Sequence, residues 1–85
     1  MQTNGAVAPE QAIPPEQLRA IRQSIVAQER LSIVTERETL TVRYRVRLRV
    51  GASQAQLDEL LLGLEQCEKA LLELETIAAE WETEA

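Results

Sequence analysis

The chain has 85 residues, a net charge of −5, no histidine and one cysteine, Cys67. That composition excludes an intrachain disulfide and argues against a zinc centre, because structural zinc needs about four Cys or His ligands. A chain this short supplies a small core, and oligomerisation remains as the expected stabilising device once disulfide and metal are set aside.

Charge is unevenly spread. Residues 39–50 carry four arginines and no acid, while residues 51–85 carry nine acids and only Lys69. The acidic balance argues against general nucleic-acid affinity, yet the basic segment suits a local anionic partner. The aromatics are Tyr44 and Trp81, so the core must be aliphatic. The longest apolar run, 60–64, is far short of the roughly 20 residues that span a bilayer, so no membrane association is expected. The N-terminus shows no basic region followed by an apolar run, and the lone thiol suits a reducing compartment; a cytoplasmic location follows as the expectation.

Residues 1–13 are small and polar without periodicity and read as a flexible tail, leaving 14–85 as a single small α+β oligomerisation domain. Pro14-Pro15-Glu16 opens a first helix, with Pro15 at the first helical position and Glu16 favoured by the helix dipole. Ile13 and Leu18 are spaced for a hydrophobic staple. The stripe Leu18, Ile21, Ile25 carries this helix to about Glu29 or Arg30.

Residues 31–35 (LSIVT) are β-branched and short enough for a strand, or for the end of that helix. A four-residue loop, 36–39, would pair Ile33 with Val42 and Leu31 with Tyr44 on one face. The loop has no Gly, Asn or Asp, and Arg30 would face Arg45; both count against the hairpin.

Thr39 to Val50 alternates strictly. Leu40, Val42, Tyr44, Val46, Leu48 and Val50 take one parity, and Arg43, Arg45, Arg47 and Arg49 the other, which predicts a long half-buried strand. In that strand the arginines form a row about 6.6 Å apart, a candidate face for an anionic partner: a protein's acidic surface, or a nucleic-acid backbone. No aromatic residue stands among those arginines to stack on bases, and arginine also serves as an ordinary solvent-facing sheet residue.

Gly51-Ala52 exits the strand, and Ser53-Gln54-Ala55-Gln56 has the form of a capping box. The last helix is expected from Gln54 to about Trp81 or Glu82, with Asp58 and Glu59 near its start. At about 42 Å it would match a strand of roughly 40 Å. It carries a heptad seam with Leu57, Leu64, Leu71 and Ala78 at a, and Leu60, Cys67, Leu74 and Trp81 at d. These eight residues are the candidate oligomer interface. Leu61, Leu62, Leu72 and Ile77 lie beyond the seam and widen it past what a two-stranded coiled coil buries.

The acids Asp58, Glu59, Glu65, Glu68, Glu73, Glu75, Glu80 and Glu82 read as a solvated helix face, and Cys67 as a buried, inert thiol. No catalytic constellation, phosphate loop or cofactor motif is present in the pattern. The expectation is therefore a non-enzymatic, homodimeric or larger adaptor, assembly factor or regulatory subunit. It would bind itself and another protein through helix and strand contacts, the alternative being a nucleic-acid-binding regulator.

Overall fold

The computed structural model describes residues 13–84, so the tail expected over 1–13 lies, apart from Ile13, outside the described residues. Two helices, α1 (Pro15–Val50) and α2 (Gln54–Glu84), form an antiparallel hairpin in the manner of a two-stranded coiled coil. The molecule is elongated, measuring 67 × 27 × 15 Å.

The α+β expectation is overturned. No strand occurs among the described residues; the proposed strands 31–35 and 39–50, and the loop between them, are all part of α1. The first helix does not stop near Arg30 but continues for another twenty residues or so. The physical reason is twofold. A lone twelve-residue strand leaves its backbone donors and acceptors unpaired, whereas a helix pairs them within itself. And residues 16–50 contain neither Gly nor Pro, so nothing interrupts the helix begun at Pro15. The alternation survives in another form. A period of two also repeats every four residues, so Leu40 and Tyr44 turn towards α2 while Val42, Val46 and Val50 turn away from it.

The helix ends follow local chemistry closely. Pro15 occupies the start of α1, and the Leu18 amide donates to the Pro14 carbonyl at 2.9 Å. At the far end Gly51 adopts φ 84, the left-handed conformation that glycine takes without steric cost. The amides of Gly51 and Ala52 both donate to the Arg47 carbonyl, the Ala52 bond at 2.9 Å, which closes α1 in a Schellman-type turn. Arg47 and Arg49 stand in the last turn, where the dipole favours cations. The capping box forms as the sequence predicts. The Gln56 amide donates to Ser53 Oγ at 3.3 Å, and the Ser53 amide donates to Gln56 Oε1 at 3.1 Å. Asp58 and Glu59 fall outside the first turn of α2, so their expected dipole contribution is small.

The core is one seam. Val26, Leu57, Leu60, Cys67 and Leu74 are buried, and Leu64, Leu71, Ala78 and Trp81 are half-buried. Gly63 lets the helices approach closely, since a Cβ there would stand 3.0 Å from Leu40 Cδ1. On the α1 side the sequence of seam positions is unusual: Arg22, Arg30 and Arg37 alternate with Val26, Ile33 and Leu40, and all three arginines are half-buried. Their stems cover α2 while their guanidiniums reach its rim.

Candidate interaction surfaces

Three groups of side chains stand out, beginning with the rungs that join the helices. Arg30 meets Glu75 in an ion pair of 2.8 Å, and its Nε also donates to Glu75 Oε2. Arg37 reaches Glu68 at 3.8 Å and its neighbour Glu38 at 3.3 Å. Arg22 lies over the Trp81 ring, its Cζ 5.1 Å from the centroid, in a cation–π contact. These are partly exposed interactions, each worth at most about 1 kcal/mol. They set the register of the hairpin more than its stability. Sequence reasoning missed them because residues 30 and 37 were divided between a helix and a loop. The signal was nonetheless present: Arg30 and Arg37 are one heptad apart, as are Glu68 and Glu75.

The second group is the seam of α2. Its eight predicted positions, from Leu57 to Trp81, are all buried or half-buried, and they face α1 of the same chain. Cys67 sits in the middle. Burial pushes its thiol pKa up, Glu36 and Glu68 add to the rise, and Arg37 opposes it. A thiol so placed is a poor nucleophile at neutral pH. At the open end of the hairpin a cleft of about 540 Å³ has an apolar floor of Leu18, Val26 and Trp81, with Arg19 and Arg22 at its rim. Ile13 and Leu18, the staple pair, both line this cleft.

The third group comprises the outward faces. The arginine row does not exist as a row: on a helix Arg43 and Arg47 lie on one side, Arg45 and Arg49 on another. All four are exposed, and none makes an ion pair among the described residues. The acids of α2 from Asp58 to Glu82 are exposed as well, with Glu68 and Glu75 committed to the arginines of α1. Large aliphatic side chains are exposed on both helices, among them Val50 at 74%, Leu72 at 68%, Leu31 at 67% and Val42 at 60%.

Among the described residues no group of His, Cys, Asp and Glu is arranged to hold a metal ion, and no helix is long and apolar enough to cross a membrane. No family model, no curated protein and no solved structure matches this chain.

Proposed function

We propose that the chain is a non-enzymatic protein-binding module: a small oligomeric adaptor, assembly factor or regulatory subunit that acts through helix–helix contacts. The observation that supports this most directly is the imbalance, among the described residues, between a buried core of five and the large aliphatic residues exposed along both helices. A two-helix hairpin has only one internal interface, and aliphatic side chains left outside it gain by burial against another helix, at about 25 cal/mol per Å². The strand contacts expected from the sequence have no part in this reading, since α1 is helical throughout. Light scattering at about 100 μM, a concentration at which even a micromolar dimer is formed, should give at least twice the 9.5 kDa chain mass. A 9.5 kDa particle under those conditions overturns the proposal.

One observation favours a second reading, a nucleic-acid-binding regulator: Arg43, Arg45, Arg47 and Arg49 gather at the tip of the hairpin without ion-pair partners among the described residues. The helix divides them between two sides, which removes the aligned spacing that first suggested a backbone contact. A salt-titrated binding assay separates the readings, because phosphate contacts strengthen steeply as salt falls. Absence of binding to DNA and RNA at low salt eliminates this one.

A further inference from the structure

The side of α1 that faces away from α2 carries a pattern with two-fold symmetry. Ile21 and Val46 stand at its ends, with Ile25 and Val42 next inward. Gln28 and Thr39 follow, and Ser32 and Thr35 flank the centre. Successive positions are separated alternately by four and three residues, the spacing of a coiled-coil seam. Every one of these residues is exposed, and none is charged, on a helix otherwise rich in Arg and Glu. Each pair lies equally far from a point between Ile33 and Val34. The Thr39 hydroxyl donates to the Thr35 carbonyl at 2.8 Å, so it is satisfied within the helix and needs no water. A shallow groove bounded by Val34, Thr35, Glu38 and Val42 runs along the half of this stripe nearer the turn.

We propose that this face is the docking surface for a second copy of the chain, laid antiparallel with its two-fold axis between Ile33 and Val34. The inference rests on the oligomeric reading above and names its partner and its face. An isologous interface must be self-complementary, and this stripe is: each aliphatic end residue meets an aliphatic residue of the partner, and each small polar residue meets another. Slipping by one heptad sets Ile25 against Thr35 and loses that match. The contact extends about 38 Å along the helix. Charge selects the direction. Parallel copies would bring two clusters of Arg43, Arg45, Arg47 and Arg49 together. Antiparallel copies set each cluster at the open end of the partner, where residues 15–24 and 78–84 together hold four acids, Glu16, Glu80, Glu82 and Glu84, against Arg19 and Arg22.

Cysteine trapping tests the arrangement in a Cys67→Ala background. The Ile25→Cys/Val42→Cys chain should oxidise to a disulfide-linked dimer, because the two positions face each other across the interface. Ile25→Cys alone should not, since its two copies would stand about 26 Å apart; a crosslink there establishes parallel packing and overturns the proposal. Thr35→Glu sets two carboxylates beside the axis and should raise the dimer dissociation constant about tenfold or more, with helicity retained by circular dichroism. Leu72→Glu, on α2 and away from the stripe, should leave it unchanged. If the native chain is oligomeric but the double-cysteine variant fails to crosslink, this interface is wrong and the adaptor reading stands. If the native chain is a monomer, both fall.

Discussion

At the scale of single residues, Cys67 shows how a side chain's surroundings decide its chemistry. It lies in the middle of the seam, with its pKa raised chiefly by burial. Raised means that the folded state holds the proton more tightly than the unfolded chain does. The associated stability is therefore complete below the unfolded thiol pKa of about 8.5 and is lost as pH rises beyond it. Denaturant midpoints measured from pH 7 to pH 10 should fall across the upper part of that range in the native protein, and fall less in Cys67→Ala. Alkylation by iodoacetamide at pH 7 should be slow until denaturant is added. Equal rates with and without denaturant would show that the thiol is accessible.

At the scale of elements, the turn is the best-specified part of the molecule. Gly51 in its left-handed conformation ends α1, and the reciprocal Ser53–Gln56 bonds begin α2, within three residues of each other. Ser53→Ala should cost about 1 kcal/mol, the usual value of a lost N-cap. Gly51→Ala should cost a similar amount, about 1 kcal/mol or more, from its positive φ. Thermal melts should register each as a drop of about 4–8 °C for a protein of this size. Unchanged melting temperatures in both would mean that the turn contributes little to stability. The same region shows how far the sequence could be read. The SQAQ motif and the heptads of Leu57 to Trp81 were legible because cap chemistry and a long repeat are local signals. Thr39–Val50 misled because alternating residues satisfy a sheet and also divide cleanly between two sides of a helix. What decided between them was absence: no Gly, Pro, Asn or Asp between Glu29 and Val50, and no second strand to complete the ladder. The seam arginines were hidden for the same reason, since Arg30 and Arg37 align only on a continuous helix.

At the scale of the whole molecule, a hairpin whose core is a single seam is a marginal object by itself. Aliphatic groups such as Ile21, Ile25, Val42 and Val46 lie uncovered on its flank. If association covers them, folding and assembly become one equilibrium, and the melting temperature must rise with protein concentration. Melts between 5 and 500 μM, spanning about 2.7 kcal/mol of mass action at most, should shift upward by several degrees. A melting temperature independent of concentration across that range would contradict an oligomer that assembles as it folds.

The shortness of the turn has a consequence for the order of events during folding. Closing a three-residue connection costs far less chain entropy than closing a long one, and both helix ends there carry their own caps. The two arms can therefore meet first beside Gly51 and close away from it rung by rung. Leu57 and Leu60 should come first, then Leu40 against Gly63, then the Arg37–Glu68 and Arg30–Glu75 pairs. Arg22 and Trp81 should meet last. The only tryptophan thus stands at the end farthest from the turn, and its indole fluorescence should report the final rung to close and the first to open.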